Sequence, residues 1–418
     1  MEGEIGTGDG RDESRAGIEP TAASGRRKRW VGHAAHASTP GPLRPSWASP
    51  PSPRPPRGSR VVSSSKSPSE SLILLDGSRG EGGGQILRTA LSLSLLTGKP
   101  FRIVKIRANR DKPGLRPQHL MAVRAAAELG RADVLGAEVG SRDLVFRPGR
   151  VEPRDLAFDI GTAGSAGLVL QTLHLPLAMR AETAARVVLT GGTFNPKAPA
   201  FPFLETTWRG SLASLGMPVA LAMPVAGFYP RGGGRLEAWI EPAKPRPWVR
   251  TTRGDLHRIR GVAGTANLHR GEVAERMRDR ALARLADAGW NVDVEIETAS
   301  WTSPGQGAAI SLTAEHAGTP PATFVGLGER GKPAETVADE AVDELLDFLG
   351  VPDGAVDPHS ADQLLLPLAL AEGRSVYTVS RVTEHLRTNA VTIRTFLGRD
   401  IEIEEAVSPD LPGRVVVA

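Results

Sequence analysis

The stretch Leu72-Ile-Leu-Leu-Asp76-Gly77-Ser-Arg-Gly80-Glu81-Gly82-Gly83-Gly84-Gln85-Ile-Leu-Arg88 places an apolar run, an acid, a glycine-dense loop and an apolar-periodic segment in that order. The order predicts strand, tight loop and helix. Glycines let backbone N–H groups approach an anion closely at a helix N-terminus, where the dipole also favours negative charge. The loop therefore reads either as a phosphate-handling site or as a plain strand-to-helix turn. It is not a Walker loop, because no Gly-Lys-Ser/Thr follows. It is not the dinucleotide fingerprint either, because Gln85 stands where the last glycine is needed. The embedded charges Arg79, Glu81 and Arg88 lift it above a bare turn.

Working outward, the same layout recurs. The glycine loop leads a helix Gln85–Thr97, a strand Phe101–Arg107, a loop Ala108–Arg116 and a helix Gln118–Leu129. A second copy runs from Asp159-Ile-Gly-Thr-Ala-Gly-Ser-Ala-Gly167 through a helix to Met179, a strand Arg186–Thr190, the loop Gly191–Pro199 and a helix ending near Leu215. In a third, Asp357-Pro-His-Ser-Ala-Asp-Gln363 leads a helix Leu364–Ala371. A strand Arg374–Ser380, the loop Arg381-Val-Thr-Glu-His385 and a helix through Phe396 complete it. Each copy closes with two strand-like stretches: Ala132–Val139 with Leu144–Val151, Val219–Val225 with Arg235–Ile240, and Asp400–Ala406 with Arg414–Ala418. The fold class is therefore α+β, with three repeated α/β units of two helices on a four-stranded sheet.

The spacing between copies is uneven. Gly84 and Gly167 are 83 residues apart, whereas Gly167 and Asp362 are 195 apart. The excess fits an inserted small α/β domain over 257–345, built on an amphipathic helix Glu272–Ala288, strands near Trp290–Thr298, Gly307–Thr313 and Ala322–Leu327, and a helix Ala334–Leu349. The expected domains are a tail over 1–70, a core over 71–256 holding repeats one and two, the insert over 257–345, and a core segment over 346–418 holding repeat three.

Composition narrows the function classes. Cysteine is absent among the 418 residues, which excludes disulfides, thiolate metal sites and cysteine nucleophiles and fits a reducing compartment. No apolar run approaches the roughly 18 residues of a membrane span, so a soluble, cytoplasmic protein without a membrane partner is expected. The formal charge of +4 is concentrated at one end. Residues 1–70 hold 11 Lys/Arg against 7 Asp/Glu, and the remaining residues balance at 40 of each. Any nucleic-acid surface on the folded part must be a local patch. The tail, with Arg26-Arg-Lys-Arg29 and Ser49-Pro-Pro-Ser-Pro-Arg-Pro-Pro56, reads as a disordered Pro/Ser/Arg-rich segment without a secretory apolar core. It is either a polybasic arm, an inert extension, or sequence upstream of the true start.

Two loops concentrate chemistry-bearing side chains. The third copy offers His385 before Leu386-Arg387-Thr388-Asn389; a histidine there can be a nucleophile, a base, a metal ligand or simply a helix-start residue. The first copy offers Arg107-Ala-Asn-Arg110-Asp-Lys112-Pro-Gly-Leu-Arg116-Pro-Gln118-His119, a basic run braced by two prolines that suits a phosphate clamp or a solvated turn. Phe228-Tyr229-Pro230-Arg231-Gly232-Gly-Gly234 precedes a strand and fits a hairpin turn.

Taken together, these segments resemble one family. Asp76-Gly-x-x-Gly-Glu-Gly-Gly-Gly-Gln-Ile-Leu-Arg88, Arg107-Ala-x-Arg-x-Lys-Pro-Gly-Leu-x-x-Gln-His119, Gly191-Gly-Thr, Tyr229-Pro-x-Gly-Gly-Gly234, Ala361-Asp-Gln-Leu364 and His385-Leu-x-Thr-Asn389 look like RNA 3′-terminal phosphate cyclase, in order over 71–418. The resemblance implies ATP-dependent conversion of an RNA 3′-terminal phosphate to a 2′,3′-cyclic phosphate through a covalent histidine–AMP intermediate, with release of pyrophosphate and AMP. It also implies three repeated α/β units and one inserted domain. By the same resemblance His385 is the nucleophile, and Glu81 holds a divalent ion, Mg²⁺ or Mn²⁺. Gln171, His359, Ser360, Ala361, Asp362 and Gln363 hold the nucleotide. Arg88, Arg110, Lys112, Gln118 and His119 face the phosphates of ATP or of the RNA 3′ end. Two departures stand out: His359 replaces a tyrosine found in some family members, and Glu384 puts a negative charge directly before His385. A non-catalytic cyclase-like protein of the same fold would lack the nucleophilic histidine, and an enolpyruvyl transferase would need shikimate-binding motifs that are missing here.

Overall fold

The first copy forms as its apolar spacing dictates: β1 (Ile73–Asp76), α1 (Gln85–Thr97), β2 (Phe101–Val104), α2 (Pro117–Gly130), β3 (Asp133–Leu135) and β4 (Leu144–Arg147). This computed structural model describes residues 72–80, 83–290 and 292–418. The expectations for the 1–70 tail and for Glu81 lie outside the described residues. In the first sheet the order is β1-β2-β4-β3, with β1 parallel to β2 and the other pairs antiparallel.

The second copy comprises β5 (Leu156–Asp159), α3 (Ala166–Arg180), β6 (Ala185–Gly191), a three-part helix, β7 (Val219–Val225) and β8 (Gly234–Ile240). The three-part helix is α4 (Phe201–Phe203), a π-helical turn (Leu204–Trp208) and α5 (Arg209–Ser214). Its sheet order, β5-β6-β8-β7, repeats the first, again with only the β5–β6 pair parallel. Strict alternation along β6 buries Ala185, Val187 and Leu189 on one face, as a half-covered strand requires.

A short strand β9 (Val249–Arg250) then precedes a separate α/β segment: β10 (Leu256–Ala266), α6 (Val273–Asp287), β11 (Asp293–Ser300), β12 (Gly307–His316), β13 (Ala322–Leu327) and α7 (Ala334–Leu349). Its sheet runs β11-β10-β12-β13, an order unlike the other three. Both helices pack on it around their own apolar cluster, which includes Ile259, Met277, Leu285, Ile310, Phe324 and Leu345. Three arginines at four-residue spacing on α6 meet acids at the same spacing on α7: Arg276 with Glu335, Arg280 with Asp339, and Arg284 with Asp343.

The third copy resumes with α8 (Pro358–Leu370), β14 (Ser375–Val379), α9 (Glu384–Leu397), β15 (Ile401–Glu404) and β16 (Gly413–Val417). Its sheet is completed by β9, which pairs parallel with β14, so the order β9-β14-β16-β15 matches the other two copies. The sequence reading began this copy at residue 346. The edge strand comes instead from before the intervening segment, too short at two residues to show a period.

Two further differences concern helix starts. Asp357-Pro-His-Ser-Ala-Asp-Gln363 was expected to lead a helix from Leu364, yet α8 already begins at Pro358. Asp357 accepts from the N–H groups of His359 and Ser360, and Pro358 sits at the first helical position, where its missing N–H costs nothing. Likewise α9 starts at Glu384, capped by Thr383 accepting from Leu386 N–H, so His385 lies in its first turn.

The core sits around α1. This helix packs against α2, α3 and α9, and its residues are buried on nearly every side. Its buried polar side chains are satisfied: Ser92 donates to Thr172 O at 2.8 Å, Ser94 to Lys99 O at 2.6 Å, and Thr89 to Asn389 Oδ1 at 2.7 Å. A helix so enclosed fixes its own N-terminus, and with it Gly84 and Gln85, against the helices of the other copies.

Candidate active site

Four helix N-termini converge where α1 begins. Gln85, the first residue of α1, reaches His385 in the first turn of α9, with Nδ1 and Oε1 2.9 Å apart. Its amide N–H donates to the Asp362 carboxylate in the second turn of α8. Asn389, one turn beyond His385, donates to Asp362 O at 2.7 Å and accepts from Thr89. On the other side, His119 in the first turn of α2 crowds Gly84: a Cβ there would stand 2.3 Å from His119 Nε2 and 2.7 Å from Arg88 Nη1. Only glycine permits that approach. A Cβ on Gly83 would lie 3.4 Å from Arg110 Nη2. Arg88, Arg110 and His119 therefore gather on the Gly83–Gly84 backbone, at helix ends whose N–H groups already favour an anion.

Gln118, beside His119, accepts from the Ser165 N–H at the N-cap of α3, at 3.1 Å. Gln171, farther along α3, donates to Gln363 Oε1 at 2.5 Å, and Gln363 in turn donates to His359 O at 2.9 Å. Gln85, Arg88, Gln171, Asp362, Gln363 and Asn389 line one cavity. His359 Nε2 pairs with Glu344 of α7 at 3.5 Å, which ties the intervening segment to the site. Ser360 and Ala361 are buried instead; Ala361 O accepts from Tyr377 Oη at 2.8 Å, and Ser360 Oγ has no partner among the described residues. Lys112 is exposed on its loop, where its carbonyl accepts from Arg107 at 2.7 Å. Glu384 pairs with Arg387, which also holds Glu405, so its carboxylate has a partner other than the neighbouring imidazole.

The electrostatics follow from burial. Burial pushes the Asp362 carboxyl up to about 7, with His359 and Arg88 pulling it back. Burial also lowers Arg88 to about 10 against the attraction of Asp362. His119 is driven down to about 3, first by burial and then by Arg88, Arg107 and Arg116. Its Nδ1 accepts from the Arg116 N–H at 3.2 Å, so the neutral ring carries its hydrogen on Nε2, the nitrogen beside Gly84. His359 moves the other way: the Glu344 hydrogen bond raises it against burial, aided by Asp357 and Asp362.

Hydrogen bonds through Gln85 orient His385. Gln85 gives Asp362 its amide N–H and turns its carbonyl to His385. The carbonyl needs a donor, which places a hydrogen of His385 on Nδ1. The ring is exposed rather than packed in the core. An oriented imidazole beside converging helix N-termini and a buried guanidinium can attack a phosphorus centre while donors receive the developing charge.

Sequence reasoning missed Gln85, Thr89 and Asn389 as site members. Gln85 and Asn389 lay inside the quoted motifs, but only the fold reveals that they join copies one and three. Among the described residues no cluster of three or more His, Asp or Glu side chains suits a metal.

The sequence of this chain has counterparts among known proteins. The family profile described as RNA 3′-terminal phosphate cyclase matches residues 79–403, and the chain belongs to that family. A relative in Koribacter versatilis named RNA 3′-terminal phosphate cyclase is 46% identical over 335 residues, covering 80% of this chain and 92% of its own. Proteins of the same name in Caldivirga maquilingensis and Pyrococcus abyssi are each 43% identical, over 335 and 349 residues, covering 79% and 83% of this chain and 94% and 98% of theirs.

Proposed function

We propose that this protein is an ATP-dependent ligase that converts the 3′-terminal phosphate of RNA to a 2′,3′-cyclic phosphate through a covalent His385–AMP intermediate. The observation that carries the reading is the Asp362–Gln85–His385 relay, which orients the imidazole among the converging helix N-termini. In the first step Nε2 attacks the α-phosphorus of ATP, and pyrophosphate leaves. In the second, an RNA 3′-phosphate oxygen takes the adenylyl group from the imidazole. In the third, the adjacent 2′-OH attacks the activated phosphorus, its proton is lost, and AMP leaves as the ring closes. Splitting one difficult displacement into covalent stages lowers each barrier.

Arg88, Arg110 and His119, gathered on the Gly83–Gly84 backbone, suit phosphate oxygens, with the neutral His119 Nε2–H donating without adding charge. Gln118 and Lys112 extend that basic side toward the RNA end. Gln171, His359, Asp362 and Gln363 are assigned to the nucleotide, with Ser360 and Ala361 shaping the helix turn that carries them. A Mg²⁺ or Mn²⁺ ion would be held by Glu81 together with ATP phosphates and water. A single protein carboxylate suits the habit of such ions near phosphates. When bound, the ion would neutralise phosphate charge.

The same reading takes 257–345 as a small domain inserted in the core formed by 71–256 and 346–418, and the cytoplasm as the place of action. No helix among the described residues is long and apolar enough to cross a membrane. The test is direct: with ATP and Mg²⁺, an oligoribonucleotide bearing a 3′-phosphate should become resistant to phosphatase. A 3′ end that stays fully phosphatase-sensitive, while the protein is folded, contradicts the reading.

A further inference from the structure

The loop between β7 and β8, read from sequence as a hairpin turn, is clamped far more firmly than a turn requires. Phe228 is buried, with its ring stacked on Phe194 at 4.6 Å and 6.0 Å from Trp301. Gly227 O accepts from the N–H groups of both Thr193 and Phe194, at 2.9 and 3.0 Å, and Ala226 N–H donates to Thr302 O at 2.8 Å. Gly232 adopts a left-handed φ of +68° and packs so tightly that a Cβ would stand 2.6 Å from Ala163 Cα. The loop is thus wedged among three segments: the 160–165 turn leading α3, the Gly191–Asn195 turn, and the 301–305 strand exit of the intervening segment.

Its tip nevertheless points outward. Tyr229 is 66% exposed, and Arg231 is exposed with its stem beside Gly305. The anchoring turn also adjoins the site: Ser165, two residues after Ala163, gives its N–H to Gln118, and the next residue, His119, crowds Gly84. A fixed loop at the cleft margin therefore presents an aromatic face and a guanidinium that neither the core nor the phosphate cluster uses.

Resting on the cyclase reading, we propose that Tyr229 and Arg231 bind the RNA strand just upstream of its 3′-phosphate, Tyr229 stacking on a base and Arg231 contacting a backbone phosphate. Every base has a π-face, so such a platform accepts single-stranded ends without regard to sequence. Because the loop is fixed before RNA arrives, little ordering entropy is lost there.

The test measures binding of a fluorescent 3′-phosphorylated oligoribonucleotide to the protein without ATP, alongside labelling of the protein by α-labelled ATP without RNA. Tyr229→Ala should weaken RNA binding about tenfold, whereas Tyr229→Trp should restore it. Arg231→Ala should lower the salt slope of log K by about 0.7, the loss of one single-strand phosphate contact. Unchanged RNA affinity in Tyr229→Ala overturns the proposal. So does an equal loss of ATP labelling, which would make the loop a structural support, or failure of the tryptophan to rescue. If wild-type protein binds RNA through Tyr229 but is never labelled by ATP, the platform stands and the adenylylation reading fails.

Discussion

Gln85 Oε1 and His385 Nδ1 lie 2.9 Å apart although 300 residues separate them in the chain. The contact joins the first residue of one copy's helix to the first turn of another's, and through the N–H of the same amide it reaches Asp362. One side chain thereby links the imidazole to the buried carboxyl and helps to orient it.

Gln85→Leu should therefore leave His385 in place but less firmly oriented. Loss of one oriented hydrogen bond predicts a fall of about tenfold in the rate of protein adenylylation. Single-turnover labelling with ATP measures it, and an unchanged rate would remove Gln85 from the account.

Gly84→Ala should be more damaging, because its Cβ would collide with both His119 Nε2 and Arg88 Nη1. Displacing those groups predicts loss of most adenylylation, with destabilisation of about 1–3 kcal/mol from overpacking. Thermal unfolding beside the labelling assay separates the two effects.

Asp362 makes a prediction about stability and pH. Its carboxyl is held near 7 in the folded protein, above the ordinary value of 3.8. The folded state thus keeps a proton that the unfolded chain releases, so this contribution is fully present below about pH 4 and is lost as pH rises through about 7. Asp362→Asn, which cannot ionise, should unfold at a higher temperature than wild type at pH 8.5, with the advantage shrinking toward pH 4. Melting curves across that range check it.

His119 has the opposite sign. Its folded value near 3 lies below the ordinary 6.5, so stability from the buried neutral ring is present above pH 6.5 and is lost as pH falls. His119→Gln should flatten the acid side of the stability curve between pH 6.5 and 4. In the wild-type protein, the His119 ring signals in NMR should not titrate between pH 5 and 8.

Much of this architecture was legible beforehand because the helices carrying it have strong signals. The apolar period of Ile86–Leu96, the Gly98 stop and the paired terminal strands of each copy all follow from local patterning. Strand β9 was not legible, since two exposed residues have no period and its partner β14 lies beyond the intervening segment. Strand β10 was hidden by its polar and glycine residues, His257, Arg258, Arg260, Gly261 and Gly264, which break alternation. Within the site, motif residues on one helix were readable, but contacts between copies were not. Gln85 looked like the start of a helix, and the Glu344–His359 pair joins elements whose meeting no spacing foretells. His174, on α3, is a buried packing ring set edge-on to Trp208 at 5.0 Å.

The central claim is that His385 becomes covalently bound to AMP. Incubation with α-labelled ATP and Mg²⁺, followed by denaturation, should leave acid-labile label on the wild-type chain and none on His385→Ala of equal thermal stability. Equal labelling of the two proteins would contradict the claim.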